Sequence, residues 1–473
     1  GLEFTLLNQA SVVVRLNSQS DSMSMQLLEE ITVSNYLTRG ITLKTNGTTQ
    51  IKPQAFGILP GLIEPDVLQT IQALPAIQSS DERISNLNVR GGTNDQNLIL
   101  WDGIKMYQSG HFFGLISAFN PYLTKDVVVS KNGSSAVYGD GVSSVIDMHS
   151  SNKIELNHSA GAGINLVNGD AYYKNKLNEK MGLQLSARRS LTDLFTTPTY
   201  DEYFKRIFQD TDLTNSNNIS QNEHFYFYDV SGKFLYDISP KDNIRINALN
   251  IYNDLNYDEE STVNDVNETL NSKLVQRNLA LGITYNRTWN DKVSTSVHIS
   301  ASNYELEATN FDVNNNQRLI QENEVLDTSL KLHIQYKPDE SINYFGGYQF
   351  SEIGISNLED VNNPVFRRLE KEVLRTHSIF NEIGFSSQSK QTNLRIGIRT
   401  NYIEKFSETY FEPRLSFSQR FLSNFRFEIL GELKSQTTSQ IIDLQNDFLG
   451  VEKRRWVVSD NEDIPIIKSK QFS

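Results

Sequence analysis

The chain has 473 residues, of which 38% are hydrophobic, with 20 tyrosines, 25 phenylalanines and a formal net charge of -13. An acidic chain without a basic stripe does not suit nucleic acid, whose phosphates need clustered Lys and Arg, and the absence of cysteine excludes disulfides, thiolate metal sites and thiol nucleophiles. No run of about eighteen apolar residues offers a transmembrane helix, yet an apolar-poor, aromatic-rich chain of this length suits either a soluble all-β protein or a small domain followed by a transmembrane barrel.

In chain order, Gly1–Leu28 holds two alternating apolar runs, Phe4–Leu7 and Ser11–Leu16, which predict the last strands of a small β domain. Leu28–Ser34 predicts another short strand, with an ordinary edge strand as the plain reading. Tyr36–Leu59 is polar and rich in turns. Glu64–Pro75 predicts a short helix: Pro65 suits its first position, Asp66 its positive end, and Val67, Leu68, Ile71 and Leu74 share one face before Pro75 stops it. From Leu87 to Met148, short β runs (Asn88–Arg90, Asn97–Trp101, Asp126–Val129, Val145–Met148) alternate with turns at Gly91, Gly92, Gly103, Gly133 and Gly139–Gly141. Glycine serves where φ is positive or backbones approach closely, so this block predicts a small mixed α+β domain of tight turns, ending at Ser150–Asn152.

From Ile154 onward the period is two. Val230, Phe234, Tyr236 and Ile238 alternate with Asp229, Ser231, Lys233 and Asp237; Leu279, Leu281 and Ile283 alternate with Thr284 and Asn286; Val297 and Ile299 alternate with Ser296, His298 and Ser300. Short turns fall at Ser239–Asn243, Asn290–Lys292, Lys337–Ser341, Ser389–Asn393 and Ser423-Asn424. Long polar connections are expected at Leu191–Asn222, Leu255–Leu270, Glu305–Glu322 and Ser351–Lys371. Short turns at one end and long loops at the other are the asymmetry of an outer-membrane barrel, and a soluble sandwich has no reason for it. About fourteen strands follow Ile154 by this pattern. The segment Ile464–Phe472 is itself strand-like, and a barrel of about twenty-two strands needs on the order of five hundred residues. Because open edges leave backbone groups unpaired in lipid, the chain is expected to be part of a longer one.

Leu74–Ile77, Val89-Arg90-Gly91, Leu98–Gly103 and Ser134–Gly139, in that order and spacing, resemble the plug domain of TonB-dependent outer-membrane receptors. His111–Gly114 with Ser117–Pro121 is similar to the Bacteroidetes-type branch, and Glu412–Ser416 resembles a barrel segment of the same family. Leu98–Gly103 lacks the pattern usual in the glycan-importing SusC-like branch. The resemblance implies a β fold in which a transmembrane antiparallel barrel, incomplete in this chain, holds a mixed α+β plug in its lumen. It implies four parts: 1–28, the tail of a carboxypeptidase-regulatory-like or signalling β domain; 29–35, a TonB box-like segment; 36–150, the plug; and 151–473, the barrel's N-terminal portion. The TonB box-like residues are Glu30, Ile31, Thr32 and Val33, suited to pairing by strand addition. Arg90, Gly91, Asp102, Gly103, Tyr138 and Gly139 form the plug signature, and Gln108, His111, Phe112 and Phe113 are expected to face a ligand. Arg90 is expected to pair with a lumen carboxylate such as Glu382 or Glu404.

The implied function is import of a scarce ligand such as a ferric siderophore across the outer membrane of a Gram-negative bacterium, driven by TonB of the inner-membrane energising complex. The alternative is a barrel serving as a structural subunit of an envelope complex without transport. Implied partners are TonB, outer-membrane lipids and a surface lipoprotein or larger envelope complex. No cofactor is expected: the seven histidines show no ligand spacing, and no G-x-S-x-G, P-loop or dinucleotide motif occurs, so no enzyme is read here. Asp254, Asp258, Glu259 and Glu260 are read as a solvated loop rather than a Ca²⁺ site.

Overall fold

The computed structural model describes residues 35–38, 40–55, 65–79, 83–111, 114–155, 158–195, 197–208, 224–263, 266–312, 317–421, 425–442 and 454–473. The segment Glu30–Val33, the first predicted β runs and Phe112-Phe113 lie outside these residues.

The glycine-turned block folds as expected. Its sheet has seven strands, ordered Asn35–Thr38, Ile41–Leu43, Thr49–Ile51, Thr124–Ser130, Val145–Ser150, Leu98–Trp101 and Ile104–Lys105. Only Val145–Ser150 and Leu98–Trp101 run parallel, and Leu98–Trp101 is buried on both faces, which is why it reads as an unbroken apolar run. Against this sheet pack Val67, Leu68 and Ile71 of the helix Val67–Gln72, with Ile51, Val127, Val129, Ile146 and Met148. The helix begins later than its sequence suggests. Asp66 is extended (φ -127°, ψ 130°) and caps the helix, its carboxylate accepting from Gln69 N at 2.9 Å. Pro65 therefore precedes the cap instead of occupying the first turn.

Around this block stands an antiparallel sheet of 14 strands, from Ser159–Ile164 to Ile467–Phe472. Its polarity is inverted relative to a soluble protein. Leu281 and Ile299, on the outward face, are 46% and 53% exposed, whereas the lumen-facing Asn278 and Ser296 are 0% and 3% exposed. An apolar outside and a polar inside are what a barrel wall in a hydrocarbon slab requires. The sheet's two edge strands are not paired with each other among the described residues.

Three of the four expected long loops are instead ladder. Asp242–Val263 and Val266–Asn290 pair without a register break from Asp242↔Arg287 to Val263↔Val266. Val293–Asp312 pairs with Gln317–Tyr336, and Ile342–Asn362 with Val365–Ser386, to their tips. In these stretches polar residues face outward, as Glu305 and Glu307 do beside the buried Leu306 and Ala308, and backbone groups still pair with one another. Of these four, the Leu191–Asn222 connection carries the helix Pro198–Phe208 among its described residues.

Asp66 also accepts from Ser117 N at 2.8 Å, tying the helix start to the plug's interior. Replacing it by Ala removes the cap and strands a buried N–H, for an expected loss of about 2 kcal/mol. Hydrogen exchange should accelerate across 65–79 while the barrel ladder stays protected.

Candidate functional site: the plug–wall interface

The contact between plug and wall is built from charged side chains whose positions follow from period-two strands. In Thr392–Ile403, Arg395 and Arg399 face inward while Ile396 and Ile398 face out. Register sets Arg399 opposite Glu412, and Arg414 opposite both Gly397 and Glu432. The resulting patch meets the plug loop Asn132–Gly139. Arg414 is the centre: it donates to Ser134 Oγ at 3.0 Å, to Tyr138 O at 2.6 Å and to Ser135 O, and pairs with Glu412 at 2.8 Å. Glu432 accepts from Ser134 N and Oγ at 2.8 and 2.6 Å, Glu382 from Ala136 N at 2.9 Å, and Arg399 donates to Val137 O at 3.1 Å. Arg395 donates to Gly133 O. Lys434 donates to Ser143 O at 3.0 Å and pairs with Glu432 at 3.1 Å. Buried charges are retained only when paired and hydrogen-bonded, and each of these has an oxygen or N–H to meet it.

The signature residues serve this seat in different ways. A Cβ on Gly139 would lie 2.5 Å from Arg399 Nε, so glycine there makes room for the guanidinium. Asp102 (φ 47°) accepts from Ser150 N at 3.1 Å and from Lys233 Nζ at 3.2 Å. Burial would raise its carboxyl, but Lys233 and Ser150 hold it below the usual carboxylate range. Gly103 (φ 84°) lies under the His298 ring. Tyr138 donates to Asp147 at 2.8 Å. Arg90 and Gly91 form an exposed turn with φ of 51° and 83°. The expected Arg90 partners are engaged elsewhere: Glu382 takes Ala136 and lies 3.8 Å from Arg395, and Glu404 takes His377 at 2.7 Å.

Of the residues expected to face a ligand, His111 is enclosed. It is 0% exposed, held by Asn253 at 2.8 Å and Asp229 at 3.0 Å, and stacked on Phe227 at 4.5 Å. Burial keeps the ring below its ordinary pKa against the pull of Asp229. Gln108 is buried but lines a crevice of about 80 Å³ with Arg83, Gln276, Tyr304 and Arg454. Beside it the hairpin Thr438–Ile442 with Arg454–Val458 turns into the bore. Trp456 meets Tyr107 edge-on at 5.0 Å, and its backbone exchanges hydrogen bonds with Asn323. On the plug side, Asp140 accepts from Thr437 N at 2.6 Å and Thr438 Oγ1 at 3.0 Å, and pairs with Lys105. The inward charges on 395–434 were not singled out from sequence. Their signal was present: charged residues on the face opposite an apolar row need partners inside.

His149 adds a pH-sensitive contact. Burial opposes its charge, but Asp147, at 3.4 Å, with Asp126 and Asp102 lifts it to about 9. A raised folded pKa means stability present below the unfolded value near 6.5 and lost as pH rises through about 9. The thermal stability of the plug is expected to fall between pH 7 and about 9.5, and His149→Gln should flatten that slope. Arg414→Ala removes the cation paired with Glu412 and leaves the carbonyls of Ser135 and Tyr138 without this donor, and should cost the seated plug roughly 3–5 kcal/mol. Faster proteolysis of Asn132–Gly139 with an unchanged heat-modifiable barrel band would register it.

Comparison with known proteins agrees with this architecture. Residues 48–145 match the family described as TonB-dependent Receptor Plug Domain. Among solved structures, a mutant ferric enterobactin receptor from Pseudomonas aeruginosa is similar with a TM-score of 0.58 at 13% identity, over 83% of this chain and 62% of that one. The siderophore receptor PirA from the same organism gives 0.59 at 13% identity, over 90% and 70%. The outer membrane transporter YddB from Escherichia coli gives 0.58 at 11%, over 85% and 62%. The chain thus spans about three fifths of the length of the first of these receptors. No curated protein sequence matches it.

Proposed function

We propose that this protein is a TonB-dependent outer-membrane receptor that imports a scarce ligand, such as a ferric siderophore, past its plug. The observation that carries this reading is a plug-family domain seated in the bore of an inside-out β wall by a hydrogen-bonded network of buried charges. Such a seat is strong enough to close the bore and consists of hydrogen bonds that exchange one by one when a segment is pulled. Similar folds titled siderophore receptors support the ligand class. The His111–Gly114 and Ser117–Pro121 pieces support the Bacteroidetes-type branch outside the SusC-like group.

In this reading Glu30–Val33 is the segment that TonB pairs with by strand addition, residues 1–28 belong to a preceding β domain, 36–150 are the plug and 151–473 the wall. Cells lacking the gene should grow more slowly on iron-limited medium. Deleting Glu29–Val33 should abolish uptake while leaving ligand binding at the outer surface intact. Uptake that persists in the deletion strain would remove TonB pairing from this segment.

A further inference from the structure

Between the plug sheet and the wall, at the short-turn end of the barrel, lies a cavity of about 520 Å³. It falls in the size range of small-molecule sites. Its charge is unbalanced. Six lysines and arginines line it against three carboxylates, Asp102, Asp126 and Asp147. Lys233 is taken by Asp102, and Arg245 by Asp237 outside the lining. Among the described residues, Lys44 and Lys125 from the plug and Lys331 from the wall have no carboxylate within ion-pair distance. Asp147 is itself occupied by Tyr138 and His149.

Plug and wall both contribute lysines to the lining. Lys331 lies opposite His298 in the ladder and two residues from His333, whose Nδ1 is buried with no hydrogen-bond partner among the described residues. Lys44 and Lys125 come from plug segments flanking the sheet strands that face this wall. A low-dielectric chamber with an excess of one sign concentrates the opposite sign. Unpaired ammonium groups beside an unsatisfied imidazole nitrogen are suited to oxygen-rich anions.

We propose that this cavity is an internal binding site for a small multivalent anion, a polycarboxylate or phosphate, held by Lys44, Lys125 and Lys331 with His333 alongside. The proposal deepens the transport reading by giving the charge of what passes the plug. It is tested by binding to the purified protein, so its failure is separate from a failure of uptake in cells.

Calorimetric titration of the full-length protein in detergent with citrate and with inorganic phosphate, and with sucrose as a neutral control, is the direct experiment. Either anion should bind, more weakly as salt rises, and sucrose should not. The triple variant Lys44→Gln, Lys125→Gln, Lys331→Gln should lose about tenfold in affinity, at a few-fold for each partly exposed charge. Lys331→Arg alone should keep most of it, which controls for a folding defect, as does the heat-modifiable barrel band. Wild-type protein that binds neither anion, or a folded triple variant that binds them undiminished, would overturn the proposal.

Discussion

A guanidinium without water must be met by oxygens, and Arg414 meets that requirement with atoms from two parts of the chain. Its partners are Glu412 on the wall and Ser134, Ser135 and Tyr138 on the plug. Neither body satisfies its share alone: the wall pairs Arg414 with Glu412 and Lys434 with Glu432 but would leave guanidinium N–H groups without acceptors, and the plug loop would hold unpaired carbonyls. Seating the plug satisfies both at once. The inward polarity of the wall therefore depends on the plug as much as the plug depends on the wall.

The same logic separates the two ends of the bore. At the end where the hairpin ladders extend, Trp456 and Tyr107 close an apolar cluster with Phe225, Phe227 and Leu306, and Asp140 fastens the inward hairpin to the plug. Packing there is dense, and the crevice that remains is about 80 Å³. Toward the short turns the plug sheet stands away from the wall and leaves the larger cavity, edged by Asp102, Asp147 and Lys331. The plug is fastened on this side as well, Arg426 donating to Lys44 O at 2.7 Å and Thr45 O at 2.8 Å and Lys233 to Asp102 at 3.2 Å.

Much of this was legible in the residues. Alternation at Leu279–Ile283 and Val297–Ser300 announced a two-faced strand, the glycine spacing between Gly91 and Gly139 announced a small, tightly turned domain, and the resemblance carried by Val89–Gly91, Leu98–Gly103 and Ser134–Gly139 implied a plug. Where polar residues replace the outward apolar row the signal vanished, which is why Leu255–Leu270 reads as loop although it is ladder. Arg90 is expected to meet a wall carboxylate because it neighbours a signature glycine, but Glu382 takes Ala136 N and Glu404 takes His377. His111 was credited with facing a ligand because aromatic neighbours suggest a site, but Asp229 and Asn253 enclose it.

The sequence by itself determined the strand period, the plug's turns and the opposition of apolar and polar faces, because each is written in residues a few positions apart. Which charge meets which atom was decided only by tertiary structure. Ser134 and Glu432 are 298 residues apart, and Ser135 and Arg414 are 279 apart. Strand register carries those inward charges to one patch, and the bore brings the plug loop to it. A one-residue slip in that register would turn every one of them toward lipid, so the network rests on the register of the wall and is absent from any local pattern.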